Sequence, residues 1–256
     1  MKNIALTLSY CGTNYHGWQR QDGLPTVQGT LEKIIERQTK VYSPLSGCGR
    51  TDRAVHANTY CANFKSDTSI PMDKLPLALN AVLPKDIVVR EAKIVDDDFD
   101  ARFSCVAKEY TYVFYNDQFP SPFDEHRAFH IIKPLDVEAM QKGAQHFVGR
   151  QDFAAVKNEG TPVSSTVREV FYCDVRREGK YVFVSVCGDG FLYNMVRNIA
   201  GNLWYVGHGK FAPDDIRRIL DSCDRCEGGP TAPPQGLYMT KLFYDKEEFS
   251  QWMKSR

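Results

Sequence analysis

Gly47-Cys48-Gly49-Arg50-Thr51-Asp52-Arg53-Ala54-Val55-His56-Ala57 is the stretch from which the rest of the chain is read. Two glycines lead into an aspartate that has one arginine two positions before it, another directly after it, and a histidine four positions on. No strand or helix needs such a run. Glycine lets the backbone turn tightly or approach a partner closely. A carboxylate beside guanidinium groups stays ionised, which suits a nucleophile or a base rather than an acid. The same residues also describe a solvated turn with exposed ion pairs, since carboxylates beside cations occur in purely structural networks too.

The surrounding composition narrows the classes. With 256 residues the chain can form one large domain or two ordinary ones. Its hydrophobic content of 43% and charged content of 25% are those of a water-soluble globular protein. No run approaches the length of a membrane span. Residues 1–8 alternate like a strand and lack the apolar core of a signal peptide, so a cytoplasmic location is expected. The eight cysteines are scattered, mostly within apolar strand patterns where a reduced thiol acts as a small hydrophobe. Cys223-x-x-Cys226 has no second pair at zinc-site spacing and reads as free thiols near a helix end. Net charge is zero, yet residues 1–60 carry +3 while Glu91–Asp100 holds five acids. Segregated charge of this kind can build a basic RNA-binding surface on a neutral protein.

Outward from the aspartate run, the flanks read as alternating α and β elements. Ile4, Leu6, Leu8 and Tyr10 alternate as an opening strand. Residues 10–21 mix aromatics, amides, glycines and Arg20, a mixture that either stacks bases and touches phosphates or tucks Trp18 into the core. Thr26 is placed to cap a helix whose face is Val27, Leu31, Ile34 and Ile35. Tyr60, Ala62 and Phe64 form a strand, and Met72, Leu75, Leu79 and Val82 a helix that Pro84 ends. A strand over 87–90 and a solvated acidic connector follow. Tyr110, Tyr112 and Phe114 share one face of another strand. Residues 116–135 read as a linker or insertion, with His126 and His130 unassigned. Val137, Met140, Ala144, Phe147 and Val148 form a helical stripe that stops at Gly149, and residues 149–153 read as a loop. A hairpin over 166–186 turns at 177–180. Met195, Val196, Ile199 and Leu203 make the buried stripe of a further helix, with Arg197 at its edge. Residues 229–238 form a rigid turn into a last strand.

Gly49-Arg50-Thr51-Asp52 with Val55-His56-Ala57 resembles the signature loop of the tRNA pseudouridine synthase A family. Five further blocks resemble that family in order: Tyr15-x-Gly17-Trp18-Gln19-Arg20-Gln21, Lys108-Glu109-Tyr110-Thr111-Tyr112, Gly149-Arg150-Gln151-Asp152-Phe153 (with Gln151 where the family commonly has histidine), Met195-Val196-Arg197, and residues 229–238 with Leu237. The resemblance spans roughly residues 4–245. The aspartate loop departs from the family pattern, which has Ala-Gly where Arg53-Ala54 stand here. If that second position has positive φ, alanine bears a cost of about 1 kcal/mol that glycine does not.

The resemblance implies an α/β fold of the α+β type with two similar halves. Each would be a mostly antiparallel sheet with helices on one face, and the two would form a central RNA-binding cleft. Residues 1–104 would be the N-terminal half with the catalytic aspartate loop. Residues 105–256 would be the C-terminal half with the base-packing tyrosine and the arginine helix. It further implies isomerisation of uridine to pseudouridine at positions 38–40 of the tRNA anticodon stem-loop, by a homodimer that uses no metal or cofactor. Asp52 would be the nucleophile, Tyr110 would pack on the uracil and help remove its C5 proton, Arg197 would pair with Asp52, and Leu237 would line the base site. Trp18, Arg20 and Arg50 would bind the RNA, with Arg53, Arg102 and Arg168 as further candidates to hold its backbone. No Gly-x-x-x-x-Gly-Lys phosphate loop occurs, and the His-x-Glu and Pro-Cys-x-x-Cys pair of a zinc deaminase is missing. The rival reading is an RNA-binding module without catalysis, or a relative that has lost turnover through Arg53-Ala54.

Overall fold

The computed structural model describes residues 1–160 and 162–256. The chain forms two compact units, one built from Met1–Val106 and Met239–Arg256, the other from Ala107–Tyr238.

In the first unit, β1 (Lys2–Tyr10) leads through the Tyr10–Gln21 loop to α1 (Val27–Thr39), followed by the two-residue β2 (Ser46–Gly47) and the long β3 (His56–Ser66). α2 (Leu75–Asn80) and β4 (Ile87–Val95) complete its first pass. β1 pairs antiparallel with both β3 and β4, setting Leu6 opposite Ala62 on one side and Ala92 on the other. Ile4, Leu6 and Leu8 are fully buried, as the alternation requires. The Thr26 hydroxyl accepts the Gly29 amide at 3.3 Å, and Val27, Leu31 and Ile35 bury the apolar stripe of α1. α2 is shorter than the sequence predicts. Residues 71–74 are turn, and the helix begins only next to Pro76, whose missing amide proton suits it to a first turn. β4 is longer than expected and takes in Glu91–Val95, which leaves Asp96–Asp100 as the acidic connector.

The second unit has β5 (Ala107–Asn116), β6 (Phe129–Ile131), α3 (Val137–Ala144), β7 (Gly149–Asp152), β8 (Val167–Glu178), β9 (Tyr181–Gly188), α4 (Met195–Gly207) and α5 (Asp215–Ser222). β5, β9, β8 and β7 run antiparallel in that order, and β6 adds alongside β5 in parallel. Tyr110, Tyr112 and Phe114 are buried together on β5, beside their cross-strand partners Val186, Val184 and Val182 of β9. β6 lies inside the stretch read as a linker, and β7 in the stretch read as a loop. Both are too short to show a period. α5 ends at Cys223 in the left-handed region, so the Cys223/Cys226 pair does flank a helix end.

β10 (Leu237–Phe243) carries the chain back to the first unit, where α6 (Lys246–Lys254) follows. Both units are mixed α/β with mostly antiparallel strands, the class expected from the sequence. No helix among the described residues is long and apolar enough to cross a membrane.

Candidate active site

In the first unit, β2 and β3 hold the base of the aspartate run. Ser46 and Gly47 pair with Asn63 and Ala62, and the Cys48 amide donates to the Cys61 carbonyl at 2.9 Å. The chain then leaves the sheet and rejoins it at His56. Between these points Asp52 is half-buried, while Arg50 and Arg53 are exposed. The Val55 amide closes a turn onto the Asp52 carbonyl at 3.2 Å, and Ala54 within it has φ +62°. The positive φ considered from the family pattern is therefore present, on an alanine.

The Tyr10–Gln21 loop clamps this turn backbone to backbone. The Trp18 amide donates to the Thr51 carbonyl at 3.1 Å, and the Ala54 amide to the Tyr15 carbonyl at 3.2 Å. Side chains finish the clamp, with Tyr10 and Thr51 hydroxyls 2.8 Å apart and the Gly12 amide donating to His56 Nδ1 at 3.0 Å. Two glycines permit the close approach. A Cβ on Gly17, which has φ +86°, would stand 2.3 Å from the Thr51 oxygen, and one on Gly12 would stand 1.9 Å from the Val55 oxygen.

Trp18 is 2% exposed and stacks on Tyr60 with ring centroids 4.0 Å apart. Tyr60 in turn donates its hydroxyl to the Gly49 carbonyl at 2.5 Å. The indole thus forms the floor beneath residues 47–51 and is not offered to solvent. Arg20 lies beyond it at the surface, its guanidinium 3.2 Å from buried Glu32 and 2.9 Å from the Tyr42 hydroxyl. Glu32 also accepts the Leu45 amide at 3.1 Å, which ties Arg20 to the approach to β2.

His56 and Cys11 are functional candidates that sequence reasoning passed over. His56 is buried, and its Nδ1 accepts from Gly12, so the neutral ring carries its proton on Nε2. The hydrogen bond from His56, aided by Thr13 and opposed by partial burial, lowers the Cys11 thiol to about 6. No local pattern announces this contact, because it joins residues 45 positions apart.

In the second unit Tyr110 is almost fully buried and meets Phe191 edge-to-face at 5.3 Å. Arg197 is half-buried at the edge of the α4 stripe. Its Nε donates to the Ala232 carbonyl at 2.8 Å and its Nη1 to Asn194 Oδ1 at 2.9 Å. The Ala232 amide returns a bond to the Arg197 carbonyl at 3.1 Å. Asn198, next along α4, anchors Thr231 by accepting from Thr231 Oγ1 at 2.6 Å and also accepts from Arg225 Nη2 at 3.0 Å. The segment that enters β10 at buried Leu237 is thus laid against the first turns of α4. The first unit brings Trp18 and Arg20, on the clamping loop, against the clamped turn that carries Arg50 and Asp52. The second gathers Arg197 with the segment leading to Leu237. Among the described residues no group of three or more His, Cys, Asp or Glu side chains is placed to hold a metal ion.

Residues 7–104 and 144–245 match the family model described as tRNA pseudouridine synthase, and Tyr110 lies between the two matched segments. The tRNA pseudouridine synthase A of Thermoanaerobacter sp. (strain X514) is 46% identical over 244 residues, spanning 95% of this chain and 100% of that protein. The protein of the same name from Acetivibrio thermocellus (strain ATCC 27405) is 45% identical over 244 residues with the same coverage. Among solved structures, the archaeal box H/ACA sRNP Nop10-Cbf5 complex aligns over 79% of this chain and 43% of that chain, at 12% identity and a TM-score of 0.36.

Proposed function

Because the chain belongs to the tRNA pseudouridine synthase family, we propose that Asp52 is the group with which it attacks the substrate ribose, at positions 38–40 of the anticodon stem-loop. The protein is an isomerase that acts on tRNA. The observation that carries the finer reading is the clamp on residues 50–55. Backbone bonds to Thr51 and Ala54, and the approach of Gly17, hold a half-buried carboxylate between exposed arginines. A turn held only by solvated ion pairs would not need that enclosure.

The target uridine is stacked in the stem or loop, so the nucleotide is flipped out at a cost of a few kcal/mol. Arg50 and Arg20 hold the backbone beside it, and Arg53, Arg102 and Arg168 are further phosphate contacts. Asp52 acts toward the ribose, as nucleophile at C1′ or as base. The N1–C1′ bond breaks, the detached uracil rotates, and C5 bonds to C1′ as the Asp52 oxygen leaves C1′ or, in the base route, as Asp52 returns the proton it took from the ribose. The proton on C5 then leaves, and N1 ends protonated, so the product is an isomer of the substrate. Arg197 serves Asp52 as its cationic partner and keeps it charged. Tyr110 packs on the uracil and helps remove the C5 proton, a step in which tyrosine, a weak base, relies on neighbouring groups. Trp18 serves the site from beneath by supporting the loop, and Leu237 lines the base site. The working form in this reading is a cytoplasmic homodimer, with one tRNA touching both protomers.

Carbodiimide modification followed by primer extension tests the positional claim. An unmodified tRNA transcript incubated with the protein should acquire reverse-transcription stops at positions 38–40. Stops confined to another arm would overturn the assignment to the anticodon stem-loop.

A further inference from the structure

Asp100 builds a rigid turn whose outward face is an aromatic ring and a guanidinium. Its Oδ1 accepts the amides of Arg102 at 2.8 Å and Phe103 at 3.0 Å, and its Oδ2 accepts the Ser46 hydroxyl at 2.7 Å. Ser104 closes the turn, donating its amide to the Asp100 carbonyl at 2.9 Å and accepting the Asp100 amide on its hydroxyl at 3.1 Å. Ala101, fully buried between them, donates its amide to Asn63 Oδ1 at 2.9 Å, and its carbonyl accepts the Tyr244 hydroxyl at 2.8 Å. Partial burial works against the Asp100 anion, but the bonds from Ser46 and the two amides outweigh it and hold this carboxyl below its usual range. All of this framework presents Phe103 at 80% exposure, with the Arg102 guanidinium 5.2 Å from the ring centroid. A core-forming turn would bury that ring. The framework is also continuous with the catalytic loop, because Ser46 directly precedes Gly47.

We propose that Phe103, with Arg102 beside it, is a stacking platform for an unpaired base of the substrate tRNA. An open aromatic face takes any base, and an adjacent guanidinium adds cation–π and phosphate attraction. Single-stranded bases in loops are recognised in this manner. The platform rests on the tRNA-modifying reading of the same unit and adds to its Arg102 phosphate contact a base-stacking contact by Phe103, which that reading does not contain. It acts on binding and not on chemistry, because Phe103 is held by a different turn from Asp52.

The test compares Phe103→Ala, Phe103→Leu and Phe103→Trp with the parent chain. Affinity for an anticodon stem-loop hairpin is read by filter binding, and pseudouridine formation on full tRNA is read separately. Phe103 is exposed, so thermal unfolding of all three variants should match the parent. Phe103→Ala should raise the Kd and KM about 5- to 100-fold with kcat unchanged, a span set by stacking one base. Phe103→Leu should fall with the alanine variant, and Phe103→Trp should bind like the parent, with indole fluorescence quenched by the hairpin. An alanine variant that binds as tightly as the parent, or a leucine variant that does, overturns the platform. A parent that binds the hairpin through Phe103 but forms no pseudouridine upholds the platform and contradicts the functional reading alone.

Discussion

Gly17 and Thr51 meet backbone to backbone, so closely that a Cβ on Gly17 would stand 2.3 Å from the Thr51 carbonyl oxygen. This contact fixes where the residue after Thr51, the proposed nucleophile, leaves the loop. Gly17→Ala should therefore displace the loop and also strain a φ of +86°, destabilising the chain by more than about 1 kcal/mol. Ala54→Gly should do the reverse. Relief of the left-handed alanine at φ +62° outweighs the extra freedom of glycine in the unfolded chain, a net gain of about 0.5 kcal/mol. Thermal unfolding should show a Tm higher by about 1–2 °C for Ala54→Gly and lower for Gly17→Ala. A glycine variant that unfolds earlier than the parent would mean the turn is not held as described.

Trp18 should prove a stability residue first. Its indole is buried on Tyr60, so Trp18→Ala should cost about 3–5 kcal/mol in a denaturant titration. A direct RNA contact would instead leave stability near that of the parent and weaken tRNA binding alone.

Cys11 should stand apart from the other thiols. The His56 hydrogen bond lowers it to about 6, while burial raises Cys61 to about 11 and pushes Cys173 higher still. Alkylation by iodoacetamide, followed residue by residue with mass spectrometry, should reach half its maximal rate near pH 6 at Cys11. His56→Asn should return that midpoint toward the ordinary thiol value near 9. Folding favours the thiolate here. Its stabilising contribution is therefore complete above about pH 9 and is lost as pH falls through about 6.

Arg53, exposed next to Asp52, should reach a phosphate. Arg53→Ala should weaken tRNA binding and reduce the slope of log Kd against log salt by about one contact. An unchanged slope removes Arg53 from the interface.

Much of the architecture was legible because it rests on local rules. Thr26 and the Val27–Leu31–Ile35 stripe mark α1, the alternation of Ile4, Leu6 and Leu8 marks β1, and Met195, Val196, Ile199 and Leu203 mark α4. β6 and β7 escaped because three or four residues show no period, and their pairing with β5 and β8 is a tertiary event. Ile216, Ile219 and Leu220 do carry a helical spacing, so α5 was readable and went unread. At the site, the identity of Asp52 came from motif resemblance, since its neighbours alone also describe a solvated turn. The burial of Trp18 against Tyr60 and the Cys11–His56 bond join residues 42 and 45 positions apart. Periodicity carries no information at that range.

The central claim is that Asp52 performs the chemistry. The most direct test is tritium release from a tRNA transcript labelled at uridine C5, with the parent chain and Asp52→Asn run side by side. The account predicts release by the parent and a loss on the order of 10⁴-fold in the variant, with tRNA binding retained. Release by Asp52→Asn at the parent rate would contradict it.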